Sequence, residues 1–180
     1  MSEGLRIVPA VGSDRHRLAS LLVETVAANG SVGFMHPLPM DEALAFWDDA
    51  LAAAARGERV ILCAWSGDTL LGSGSLALVS APSQPHRAEL TKVMTTPAAR
   101  GAGVGARLVV ALEQEARAHG RRLVTLDASL VEGATAFYRR LGYHGAGDIP
   151  EYAYKPHGEL AGTRLFWKLL DARPKPPPST

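Results

Sequence analysis

The sequence predicts an α/β fold, in detail an α+β mixed sheet whose first strands run antiparallel and whose middle is a parallel strand–helix–strand unit. Three observations carry that expectation. Apolar runs of strand length alternate with helix-period stripes along nearly all of the 180 residues. Two of the runs, Val60 to Trp65 and Thr69 to Val79, are separated only by Ser66-Gly67-Asp68 and read as a hairpin. A third, Arg87 to Thr95, passes through Pro97 and a glycine-rich turn into a long amphipathic helix and then another strand, Leu123 to Leu126. A crossover of that kind joins parallel strands.

In chain order, Leu5 to Val8 is a short first strand stopped by Pro9. Ser13 reads as the N-cap of a helix on which Leu18, Leu21, Leu22 and Val26 share a face, and Asn29-Gly30 stops it. The stretch SVGFMHPLP, with two prolines and a glycine, is a loop whose Phe34 and Met35 read as exposed apolar tips. Asp41 reads as the cap of a second helix with Leu44, Trp47, Leu51 and Ala54 on one stripe, ending near Gly57. After the hairpin and the central strand, Val104, Leu108, Leu112 and Ala116 form the buried stripe of the long helix, leaving Arg107, Glu113, Gln114 and Arg117 off it. Ala134 to Leu141 is a short helix closed by Gly142, Pro156-His157-Gly158 a turn, and Thr163 to Leu170 the last strand. One domain over 1–171 is expected, with the proline-rich 172–180 disordered.

Composition excludes several classes of function. Nineteen Lys and Arg balance eighteen Asp and Glu, a net charge of +1, which cannot supply the broad positive field that nucleic acid or an anionic membrane requires. No apolar run approaches the ~20 residues of a membrane span. The single cysteine, Cys63, lies within an apolar run, so an internal disulfide is excluded and a reducing, cytoplasmic compartment is the default. The six histidines show no metal-ligand spacing, and no metal is expected.

The chemistry concentrates in Lys92 to Gly105, KVMTTPAARGAGVG. A helix N-terminus has unpaired N–H groups and a partial positive charge, and glycines let the backbone take φ > 0 and approach an anion closely. A P-loop is ruled out, because Gly105 is followed by Ala106 and Arg107 rather than Lys and Ser or Thr. Gly101-x-Gly103-x-x-Ala106, with Asp127 about 20 residues on, satisfies the dinucleotide pattern, but too little chain follows for a doubly wound sheet. Glycines that merely permit close helix–sheet packing are the third reading.

Arg100-x-x-Gly103-x-Gly105 between a strand and a helix resembles the acetyl-CoA signature of the GNAT N-acetyltransferase superfamily. The order of elements from Leu5 to Leu170 is similar to that fold, a central mixed sheet of six to seven strands with about four helices. AFYRRLGY matches the family's later element at Ala134, Tyr138, Gly142 and Tyr143. The SVGFM loop, the LDAS segment and IPEYAYKPHGELAGTRLFWKLL resemble the tabtoxin-resistance branch of small-molecule acetyltransferases.

The resemblance implies an acetyl-CoA-dependent transfer of acetyl directly to the primary amine of a small molecule, an amino-acid-like compound or a toxin. A non-catalytic CoA-binding module of the same fold and an NAD(P)-binding oxidoreductase stand as alternatives. In the family, the backbone of Val93, Met94 and Thr95 would meet pantetheine. Arg100, Gly101, Ala102, Gly103, Val104, Gly105 and Ala106 would hold the pyrophosphate, with Arg139 or Arg140 near the adenosine phosphate. Tyr138 would face the sulfur as proton donor, and the N–H of Met94 or Thr95 would hold the oxyanion. The base is Glu89 or Asp127, directly or through water. The acceptor would lie between the Asn29 to Pro37 loop and the Glu151 to Gly162 hairpin, against Phe34, Met35, His36, Tyr152 and Tyr154. Many relatives carry Asn seven residues before the tyrosine, where this chain has Val131. A homodimer is left open.

Overall fold

A computed structural model describes residues 4–130 and 133–170; Val131 and the proline-rich segment lie outside the described residues. The elements are β1 (Arg6–Pro9), α1 (Arg15–Ala27), α2 (Met40–Ala55), β2 (Arg59–Ser66), β3 (Thr69–Leu78), β4 (Arg87–Thr95), α3 (Val104–Ala118), β5 (Leu123–Ser129), α4 (Ala134–Arg140), β6 (His144–Tyr154) and β7 (Leu160–Leu169). The strands form a seven-stranded sheet in the order β1-β2-β3-β4-β5-β7-β6. Only β4 and β5 pair in parallel, as the crossover through α3 requires.

The continuous apolar run of β2 is explained by burial on both faces. Ile61, Cys63 and Trp65 join the core under α1 and α2 with Leu18, Leu22, Val26 and Trp47, whereas Leu62 and Ala64 join the opposite core with Leu108, Leu112, Val124 and Phe166. Strand periodicity divides one run between two cores. Each fully buried Leu among these contributes roughly 1.5–3 kcal/mol by area.

Local details differ from expectation at three places. Ser13 lies in a 3-10 turn, Gly12–Asp14, ahead of α1, and the carboxylate that organises that turn belongs to Asp14, whose Oδ2 accepts the Val11 N–H at 2.9 Å. Pro39 rather than Asp41 precedes α2; Asp41 is one residue inside, where an acid still complements the helix dipole. Glu113, read as lying off the stripe of α3, is buried. Lys168 of β7 makes that tolerable, donating to both Glu113 oxygens at 2.8 and 2.9 Å and to the Leu141 carbonyl at 2.7 Å. One ammonium thus ties α3, β7 and the end of α4 together, and removing it would strand a buried carboxylate.

Candidate active site

The site begins where two strands part. β4 pairs with β5 only through Arg87, Ala88 and Glu89 opposite Leu123, Val124 and Thr125. Beyond Glu89 the β4 backbone has no strand partner on that side, although β4 continues to Thr95 and β5 to Ser129. On its other side β4 stays paired with β3, but the register slips between Ser73 opposite Met94 and Ser75 opposite Thr91. Lys92, at φ 54, is a bulge residue in that slip, and bulges bend and twist the strand that carries them. Two adjoining cavities fill the gap. One of about 550 Å³ runs along the glycine turn to α4, and one of about 770 Å³ opens toward the loop after α1. They share Val93, Thr95, Arg100, Ala134, Phe137 and Tyr138 as walls.

Gly101 (φ 79) and Gly103 (φ 77) take the left-handed conformation that other residues adopt at a cost of about 1–2 kcal/mol. A Cβ added to either would meet nothing within 4 Å, so the glycines serve backbone shape rather than close packing. Gly103 is the N-cap of α3 and offers no side chain to cap it. The Arg107 N–H bonds the Gly103 carbonyl at 3.1 Å, so the amides of Val104, Gly105 and Ala106 precede the helical ladder. Open space in front of uncapped amides is the geometry an anion needs. Gly105 is helical; a Cβ there would lie 3.5 Å from Phe137 Cζ, an ordinary contact.

Tyr138 lines both cavities. Its ring meets Phe137 and Tyr143 edge to face, at 5.0 and 5.7 Å between centroids, which fixes its direction. Burial, and secondarily the Asp127 carboxylate, push its hydroxyl up to about 12. Asp127 lines the 770 Å³ cavity and also a third one of about 350 Å³, whose other walls include Glu89, Tyr152 and Trp167. Asp127 is therefore common to the cavity that Tyr138 lines and the one that Glu89 lines. Glu89 lies 3.5 Å from Arg87 Nη1, and Arg87 donates to Thr125 Oγ1 at 2.9 Å. Asp127 Oδ2 accepts a long bond from Thr163 Oγ1 at 3.4 Å.

The model of the acetyltransferase (GNAT) family matches residues 17–143. The chain belongs to this family. An uncharacterized N-acetyltransferase from the hisH-hisA intergenic region of Azospirillum brasilense is 32% identical over 116 residues, 63% of this chain and 67% of the relative. An IAA acetyltransferase of the same organism is 28% identical over 107 residues, 59% of this chain and 68% of the relative. Among solved structures, yncA of Salmonella typhimurium, an acetyltransferase determined with its cofactor acetyl-CoA, covers 97% of this chain and 99% of its own at TM-score 0.78 and 20% identity.

GNAT membership decides among the readings of the glycine turn: the protein is an N-acetyltransferase with acetyl-CoA as donor, and the dinucleotide reading falls. The long cleft, the unpaired edge of β4 and the uncapped start of α3 fit that donor. Arg100, Gly101, Gly103, Val104, Gly105, Ala106 and Arg140 line the cleft, whereas Ala102 and Arg139 do not; the Met94 side chain is buried in the core under α1 and α2.

The residues expected to meet the acceptor are dispersed. Phe34 is not an exposed tip: it packs edge to face on Phe46 at 5.2 Å, because the loop folds back over α2. Met35 is exposed, and the His36 ring lies 4.5 Å from that of His157. None of the three lines the cavities described above, Tyr152 lines the floor beside Glu89, and Tyr154 is exposed. The wall of the 770 Å³ cavity is instead made by Asn29, Ser31, Val32 and Gly33, with Lys92. A lysine in a strand that alternates polar and apolar residues was the available signal for that last residue, but a bulge breaks the alternation that would have given its direction.

Proposed function

We propose that this GNAT enzyme acetylates the primary amine of a small molecule by direct transfer, with Asp127 and Glu89 as its proton-handling groups and Tyr138 as a hydrogen-bond donor to the departing sulfur. The observation that carries the proposal is the position of Asp127 on the walls of both the cavity of Tyr138 and that of Glu89. Pantetheine adds along Val93, Met94 and Thr95, and the pyrophosphate rests on the amides from Gly101 to Ala106 beside Arg100. The amine nitrogen attacks the thioester carbonyl, forming C–N as C–S breaks, while a backbone N–H at Met94 or Thr95 holds the oxyanion. Asp127 or Glu89 takes the proton of the acceptor ammonium, directly or through water.

Tyr138 acts as a hydrogen-bond donor. At about 12 its hydroxyl is a weaker acid than an ordinary thiol, near 8.5, so it stabilises charge growing on sulfur without giving the proton away. The ammonium sheds two protons on becoming an amide: the first leaves through the carboxylate to solvent before attack, and the second leaves nitrogen once C–N has formed and neutralises the thiolate, so the products are an amide, free CoA thiol and one proton. A small acceptor, as in the toxin-resistance branch, accords with a cavity of about 770 Å³. A cytoplasmic location accords with the buried thiol of Cys63. A homodimer would close on the apolar side chains exposed on β6 and β7, Tyr152, Tyr154, Leu165 and Trp167.

Thiol release from acetyl-CoA across a library of primary amines tests the reading. Release above background for some small amine, lost in Asp127→Asn or Glu89→Gln, is expected; transfer only to protein N-termini or lysines overturns the small-molecule acceptor. Sedimentation velocity reads the dimer, and a monomer at micromolar concentration rejects it.

A further inference from the structure

We infer that Lys92 recognises a carboxylate on the acceptor, so that the substrate carries both an amine and an acid. This inference rests on the small-amine reading above. Lys92 lies on the bulge of β4 with φ 54, a conformation that glycine adopts freely and lysine does not. The side chain is half-buried and lines the 770 Å³ cavity. Its Nζ stands 5.6 Å from the Phe34 ring centroid and 5.5 Å from that of Phe46. Rings attract a cation without accepting a full hydrogen bond from it. Among the described residues Nζ has no hydrogen-bond acceptor and no carboxylate within ion-pair distance. Gly33 lies against it: a Cβ there would be 3.4 Å from Nζ, so the missing side chain leaves the ammonium accessible from the loop side.

The cations around it outnumber the carboxylates. Lys92 and Arg100 line the cavity together with Asp127, and Arg59 and Arg87 interact with Glu89. Glu89 is engaged by Arg87 and interacts with Arg59, and Asp127 acts on Lys92 only through space. Burial and the repulsion of Arg59 disfavour the ammonium, and Asp127 offsets part of that. An anion delivered by a ligand would complete the set. The same cavity is lined by Asp127 and by Tyr138, whose hydroxyl feels the Asp127 charge, and the amine must approach the thioester there. A cavity with a free ammonium on one wall and a carboxylate on another matches a molecule carrying the opposite pair, an amino acid or a close analogue.

The test compares three acceptors with one carbon skeleton: an amino acid, its carboxamide and the decarboxylated amine. With wild-type protein, kcat/KM for the acid should exceed that of both others by roughly 10- to 100-fold, the range of a charge-assisted hydrogen bond. Lys92→Met should collapse that ratio toward one, mainly through KM, and Lys92→Arg should restore part of it. Stabilisation by acetyl-CoA in both variants certifies that they fold. Equal rates for acid, carboxamide and amine in wild-type protein overturn the inference while leaving small-amine acetylation intact, and need no variant. A ratio that survives Lys92→Met also overturns it. Failure of acids, carboxamides and amines alike across a broad library rejects the small-amine reading itself, and this inference falls with it.

Discussion

Tyr138 is held by rings rather than by hydrogen bonds, so its hydroxyl can be removed without moving the chain. Tyr138→Phe should lower kcat by about 100-fold, the loss of one hydrogen-bond donor to the charge developing on sulfur, with acetyl-CoA affinity nearly unchanged. Steady-state kinetics and calorimetric titration of acetyl-CoA check the two halves. Because that hydroxyl sits at about 12, the alkaline limb of the rate profile should show no ionisation of Tyr138 below about pH 11. Cys63 behaves differently from a reactive thiol. Burial, and secondarily Asp14, push it up to about 12, so iodoacetamide at pH 8 should leave it unmodified until the protein unfolds. The two carboxylates have distinct surroundings. Glu89 has Arg87 beside it, whereas Asp127 accepts a long bond from Thr163 and lies within electrostatic reach of Lys92 and Tyr138.

At the scale of elements, the turn into α3 and the bulge of β4 make opposite demands on glycine. Gly103→Ala places a Cβ in open space, so its cost is conformational, about 1–2 kcal/mol, and acetyl-CoA affinity should fall with stability. Gly72→Ala meets a crowded site instead. Its Cβ would lie 2.6 Å from the Met94 carbonyl oxygen, a backbone atom that can move only with the bulged strand. Overpacking of that kind costs typically 1–3 kcal/mol, and because β4 bears the cofactor edge, urea denaturation and kcat should worsen together. These elements also show how far the sequence could be read. The extents of β4 and the N-terminus of α3 follow from local pattern, since strand runs and glycine turns act over a few residues. The bulge does not, because its signature is a positive φ at a lysine, which no propensity favours.

For the whole molecule, acetyl-CoA at 100 times its Kd should raise stability by about 2.7 kcal/mol, several degrees in a thermal scan. An unshifted melting curve would contradict the cleft as a donor site. Alkaline pH works in the other direction. Cys63 and Tyr138 have folded values near 12 against ordinary values of 9.0 and 10.0, so between those limits the unfolded chain binds fewer protons. The stability they contribute is complete below about pH 9 and is lost as pH rises to about 12, at up to about 1.4 kcal/mol per group per pH unit. Melting temperature measured from pH 8 to 11 should fall accordingly.

What the sequence alone determined is the order of elements, the parallel crossover and the glycine turn at Gly101 and Gly103, all consequences of short-range periodicity and backbone freedom. Tertiary structure decided the rest. Lys168 reaches Glu113 across fifty-five residues, Asp127 joins two cavities, Phe34 turns inward onto Phe46, and Lys92 reaches the acceptor wall because one extra residue in β4 shifts its register. Such meetings depend on how distant strands pair and where they part, and a pattern read along the chain carries no distance across it.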